Sequence, residues 1–136
     1  MTVTTSATNP IQIVDRPIIS ADSHIVEPPN CYIDYIAPKF RHEAPRIEHH
    51  ETRGDCFIVP GMKPITLSLT AAAGIPPEDL VESGRTFDEL HRSGHRPEDR
   101  AADQDRDGVA GEIIYPTVGM LLCNHKDSEY KQACFE

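Results

Sequence analysis

The sequence has no tryptophan, and its hydrophobic residues make up only 38% of the 136. That supply supports one domain with a modest core and excludes a large one. No apolar run approaches the roughly 20 residues needed to cross a bilayer, so a membrane span is not expected. Basic residues are scarce: 13 Lys and Arg stand against 22 Asp and Glu, a net charge of −9. A surface so acidic argues against nucleic acid and anionic membranes as general partners. There is no C-x-x-C pair among Cys31, Cys56, Cys123 and Cys134. The first ten residues contain neither Lys nor Arg and no apolar h-region, so a secretory leader is not expected. Four reduced thiols in a cytoplasmic protein are the reading this favours over two disulfides.

Proline, by contrast, is plentiful. Twelve prolines imply long irregular stretches. Residues 1–15 read as a disordered leader, and 16–136 as the folded domain. Residues 17–24 read as a strand, with Pro17 at its start. Glu27-Pro28-Pro29 ends that strand, and residues 30–40 suit one or two helical turns before Pro38 and Pro45 interrupt them. Two β-prone runs, Cys56–Val59 and Ile65–Leu69, flank the turn-rich Pro60–Pro64 and predict a hairpin over about 54–70. Ala71–Gly94 reads as loop with a short helix near Thr86–His91. A helix is predicted over about 97–107: Pro97 suits its first turn, Glu98 and Asp99 complement its positive end, and Gly108 ends it. Glu112–Tyr115 predicts a second apolar strand, within about 111–117 and closed by Pro116. Asp127 or Ser128 then caps a last helix through Tyr130, Ala133 and Cys134. That helix meets no stop signal before Glu136. Two apolar strands separated by about 90 residues and a helix imply α/β architecture with parallel pairing. So long an excursion is an insertion, and long insertions are often functional.

The chemistry concentrates in Ile18-Ile19-Ser20-Ala21-Asp22-Ser23-His24. Alternation along a strand points Asp22 and His24 to the same side, near its C-terminal end. A carboxylate and an imidazole so arranged can hold one divalent cation. A second constellation, Asp103-x-Asp105-x-Asp107-Gly108, matches the first six positions of an EF-hand calcium loop. Its twelfth position, where a bidentate Glu is needed, is Ile114. A small non-enzymatic Ca²⁺-binding or interaction module built on Asp103, Asp105 and Asp107 is the alternative reading. His49 and His50, and His91 and His95, read as solvated loop residues. Cys31 and Cys56 could approach each other across the insertion.

Two segments together resemble a known family. Ile19-Ser20-Ala21-Asp22-Ser23-His24-Ile25-Val26-Glu27-Pro28-Pro29 looks like the opening of amidohydrolase-related metal-dependent enzymes, in the branch that includes aminocarboxymuconate-semialdehyde decarboxylase. Arg100 to Thr117, RAADQDRDGVAGEIIYPT, is similar to that family's helix and second strand. The Pro-rich stretch at Arg41–Ile47 and the hairpin also fit, so the resemblance covers nearly all of 17–136. It implies the N-terminal portion of a distorted (β/α)₈ TIM barrel, with a β-hairpin inserted between strands 1 and 2. It implies Asp22 and His24 as the first-strand metal ligands. Many members carry His-x-His there, which leaves the metal's identity open, with Zn²⁺ ahead of Mn²⁺. Further ligands and the catalytic residues would come from later strands. Thr117, at the end of the second strand, would line a small-molecule substrate pocket on the barrel's active face. The activity implied is hydrolysis or decarboxylation by a full-length homo-oligomer, with this chain alone marginally folded and inactive.

Overall fold

A computed structural model describes residues 16–68, 70 and 72–136. The expected leader, residues 1–15, lies outside the described residues. The architecture is mixed α/β. Strand β1 (Ile18–Ile25) leads into helix α1 (Cys31–Tyr35) and a 3₁₀ turn at Pro38–Glu43. Strands β2 (Arg46–His50), β3 (Gly54–Ile58) and β4 (Ile65–Thr66) follow. Three more 3₁₀ turns, Pro77–Asp79, Phe87–Glu89 and Arg92–Gly94, precede helix α2 (Pro97–Asp107) and strand β5 (Val109–Pro116). Helices α3 (Thr117–Leu122) and α4 (Ser128–Phe135) complete the order.

The strands form two sheets among the described residues. β1 pairs with β5 in parallel, while β2, β3 and β4 form an antiparallel sheet in that order. They do not close a barrel. The predicted hairpin is there, with Cys56 opposite Thr66 and Phe57 opposite Ile65, but its second strand is only two residues long. β2 is an addition to the expectation. Its RIEHH sequence is polar because most of it faces solvent, so His49 and His50 belong to a strand and not to a loop. His49 pairs across the sheet with Asp55, Nδ1 to Oδ1 at 2.8 Å.

α2 follows its sequence signals closely. Pro97 occupies the first turn, and Gly108 closes the helix at φ +70° with its N–H bonded back to Gln104 and Asp105 carbonyls. α4 is capped by Asp127, whose side chain accepts from the Glu129 and Tyr130 N–H groups. α3 occupies part of the expected loop between β5 and α4. It forms because Val118 and Leu122 are fully buried on one side, which supplies packing that a six-residue helix needs and its own propensity does not.

The core lies away from the parallel sheet. It gathers Val26, Ile36, Ala44, Phe57, Val59, Leu67, Leu90, Val118, Leu122, Tyr130 and Ala133. Tyr130 meets Phe40 edge to face, with ring centres 5.6 Å apart, and its hydroxyl donates to the Glu43 carbonyl at 2.7 Å. This aromatic pair joins α4 to the turn that follows α1. On the β1–β5 sheet, meanwhile, Ile18, Ile19, Ile113 and Ile114 remain 46–59% exposed. Parallel sheets ordinarily have both faces covered, so this ribbon offers apolar surface to a further layer.

Two glycines separate strain from crowding. Both Gly54 and Gly108 have φ +70°, but a Cβ at Gly108 meets open space, whereas one at Gly54 would overlap the Arg85 carbonyl oxygen. Gly108→Ala is expected to cost about 1–2 kcal/mol, the penalty of a left-handed L-residue. Gly54→Ala should cost that and roughly 1–3 kcal/mol more for overpacking. Urea unfolding of the two variants checks this; equal losses would contradict it.

Candidate metal centre

β1 carries an irregularity beside the residues of interest. Ser20 faces Glu112 and Ser23 faces Ile114, so Ala21 and Asp22 on β1 correspond to Ile113 alone on β5. An extra residue of this kind bends a strand and re-aims its side chains. Asp22 and His24 nevertheless lie together, as alternation predicts: Asp22 Oδ1 is 3.3 Å from His24 Nε2. Their side chains are 79% and 41% exposed respectively, so an ion from solvent can reach both. The Tyr115 ring flanks the pair, 6.0 Å from the imidazole centre to centre.

The separation can be tested against metal geometry. Two donors each about 2.1 Å from a tetrahedral ion lie roughly 3.4 Å apart, and about 3.0 Å around an octahedral one. The 3.3 Å between Asp22 and His24 suits such a chelate. Among the described residues, no group of three or more His, Cys, Asp or Glu side chains is arranged to hold a metal ion. Asp22 and His24 thus stand as a pair without a third such side chain beside them among the described residues.

Thr117 sits at the foot of α3 beside this strand end, and its hydroxyl donates to the Ile25 carbonyl at 2.6 Å. That bond ties the end of β1 to the residue after β5. The hydroxyl oxygen keeps acceptor capacity beyond this one donated bond. Glu27 ties the same ends more deeply. Its buried Oε1 accepts from the Gly119 N–H at 2.9 Å and the Tyr32 hydroxyl at 3.2 Å. In sequence Glu27 reads only as part of a strand stop; its reach to Gly119 spans 92 positions.

Arg100 is the central connector that sequence reasoning missed. From α2 its guanidinium forms a forked pair with Glu112 of β5, Nη2 to Oε2 at 2.7 Å with Nε on the other oxygen. Its Nη1 also donates to the carbonyls of His24 at 3.1 Å and Ser93 at 3.2 Å. Gln104 Nε2 adds a bond to Glu112 at 2.6 Å. The Arg100 and Glu112 side chains are 18% and 9% exposed. The spacing that carries this, a helical Arg twelve residues before a strand Glu, has no local periodicity to announce it.

The aspartate triplet folds differently from a calcium loop. Asp103, Asp105 and Asp107 all lie on α2, so the backbone turn that would wrap an ion is absent there. Asp103 is engaged by Arg106 at 2.7 Å and approached by His91 at 3.6 Å, and Arg106 Nε also meets Asp107 at 3.1 Å. Hydrogen bonding from Ser93, with the charges of Arg106 and His91, holds the Asp103 carboxyl below its usual range. His91 and His95 take separate partners: His91 Nδ1 lies 2.7 Å from the Ser93 hydroxyl, and His95 packs on Phe87. Both Ser93 and Asp103 face the same ring nitrogen of His91, which rules out a Ser–His–Asp relay, where the two partners need opposite nitrogens.

All four cysteines are free thiols. Cys31 shares a cavity of about 250 Å³ with Cys134, Glu27 and Tyr32, while Cys56 is buried in β3. Burial, with Glu27 nearby, pushes the Cys31 thiol up to about 11, and burial raises Cys134 as well. Both stay protonated at neutral pH and are poor nucleophiles and poor metal ligands in that form.

Arg100 above all, with Ser23 and Gln104, holds the Glu112 carboxyl below its usual range. A depressed folded value means that this stabilisation is complete above the unfolded value of about 4.3 and is lost as pH falls through the folded one. Below roughly pH 4.3, wild-type stability in urea should therefore fall more steeply than that of Glu112→Gln, which has no such proton to gain. Parallel acid limbs would show that the pair contributes nothing to the pH response.

No protein-family model matches this sequence, and no curated protein matches it.

Proposed function

We propose that this chain supplies the first-strand half of the metal site in a metal-dependent hydrolase, or a related decarboxylase, of the amidohydrolase-related type. The observation that carries the proposal is the 3.3 Å pairing of Asp22 with His24, exposed at the C-terminal end of a parallel strand. That end is where barrel enzymes place their chemistry. The half-exposed isoleucines of β1 and β5 support a place within a larger parallel sheet, a (β/α)₈ barrel on this reading, because parallel strands function as covered layers. The insertion between the strands then forms a cap-like body whose core is shared with α3 and α4.

Asp22 and His24 hold the ion, with Zn²⁺ favoured over Mn²⁺ for a mixed carboxylate and imidazole shell. When bound, such an ion polarises a water or a substrate oxygen. The protein's own residues prepare the place. The β1 irregularity sets the direction of Asp22, Arg100 fixes the carbonyl of His24, and Tyr115 walls one side. Thr117 offers its hydroxyl oxygen to a small polar substrate at the joined ends of β1 and β5. The active form on this reading is a cytoplasmic homo-oligomer, and the 136 residues alone turn over no substrate. The calcium-module alternative has lost its loop to helix α2.

Calorimetric titration with Zn²⁺ is expected to show a single weak site. Asp22→Asn and His24→Ala should each abolish it, since one remaining ligand cannot chelate. Undiminished binding in either variant would remove the basis of the proposal.

A further inference from the structure

We infer that Arg100 is a positioning residue for the metal pair, acting on His24 through its backbone. The inference rests on the reading of Asp22 and His24 as ligands. Three separate segments meet on this one guanidinium: the His24 carbonyl of β1, the Ser93 carbonyl of the preceding 3₁₀ turn, and the Glu112 carboxylate of β5. The neighbouring Val26 N–H donates to the Gly94 carbonyl at 2.8 Å, so the turn and the strand end are joined on both sides of the connection. The result fixes the backbone of His24 immediately after the irregularity at Ala21–Asp22.

The geometry explains why fixing is needed. Strands ordinarily hold their residues by ladder bonds on two edges, but β1 pairs only with β5 among the described residues. An irregular strand with one ladder is free to twist. Rotations of the His24 backbone move its Nε2, which lies farther from the Cα than the carbonyl oxygen does, and with it the chelate spacing to Asp22. Arg100 restrains that rotation with a rigid planar fork anchored by Glu112. Glu112 is in turn held by Gln104, so the guanidinium has little freedom of its own. Groups of this kind, one bond removed from a metal ligand, typically change metal affinity by 10–100-fold. The connection here passes through the backbone and one ladder is intact, so the lower end applies.

The test is a Zn²⁺ titration of the ¹⁵N-labelled chain, followed at the His24 imidazole nitrogens and nearby amides. Arg100→Met should weaken Zn²⁺ binding by about 10-fold and shift the His24 signals in the free protein. Arg100→Lys should recover part of the affinity, because an ammonium can still reach one carbonyl but cannot fork onto Glu112. Should Arg100→Met fail to fold, Glu112→Gln keeps the shape of the side chain, loosens the guanidinium and should weaken binding in the same direction. A folded Arg100→Met, or Glu112→Gln in its place, that binds Zn²⁺ within twofold of wild type overturns the positioning role while leaving the metal pair standing. A wild-type chain whose His24 signals ignore Zn²⁺ overturns the metal pair, and the positioning role with it.

Discussion

The parallel pairing of β1 with β5 is the constraint on which the rest of this structure depends. Two parallel strands cannot be joined by a tight turn; the chain must leave one end and return to the other. Here it leaves at Ile25 and returns at Val109, and the intervening residues fold into a body of their own. That body holds most of the core, from Val26 to Leu90, closed by Val118, Leu122, Tyr130 and Ala133 of α3 and α4. Burial is thus concentrated beside the parallel ribbon and not upon it. The ribbon keeps its alignment through polar connections: Thr117 to Ile25, Glu27 to Gly119, and Arg100 to His24 and Glu112.

Those connections converge on the strand end that bears Asp22 and His24. All but the Arg100–Glu112 pair join groups more than 70 positions apart in sequence, and each involves a backbone atom of β1, α3 or a neighbouring turn, or a carboxylate that is largely shielded. Desolvated bonds of this type are costly to leave half made. They therefore specify one arrangement of β1 against β5, while the apolar side chains on the ribbon's open surface specify nothing by themselves. On the proposed reading, an exposed pair of donors held on a well-fixed backbone suits the capture of an ion from solvent. A site completed by other groups gains from such preorganisation because less freedom is lost when the ion binds.

Much of this was legible in the sequence, and the failures have physical causes. Helix α2 carries proline, acidic residues and glycine at the positions where backbone chemistry demands them, so local signals were enough. The Asp22–His24 pairing needed only the two-residue period of a strand. β2 was missed because its RIEHH segment is an edge strand whose side chains are mostly solvated, which gives it a loop-like composition. α3 was missed because its stability comes from burying Val118 and Leu122 and from the Glu27 carboxylate meeting the Gly119 N–H. The aspartate triplet has the spacing of a calcium loop, but the same residues lie between the helix signals at Pro97 and Gly108, and the helix expected from those signals is the one that forms. Arg100 and Glu112 had no readable relation until the helix and strand were placed side by side.

The central claim is that Asp22 and His24 are two ligands of one metal ion. Crystals grown with Zn²⁺ and measured on both sides of the zinc absorption edge test it directly. The account predicts an anomalous peak about 2.0–2.2 Å from both Asp22 Oδ1 and His24 Nε2. A zinc peak bound elsewhere, with Asp22 and His24 left in contact only with each other, would contradict it.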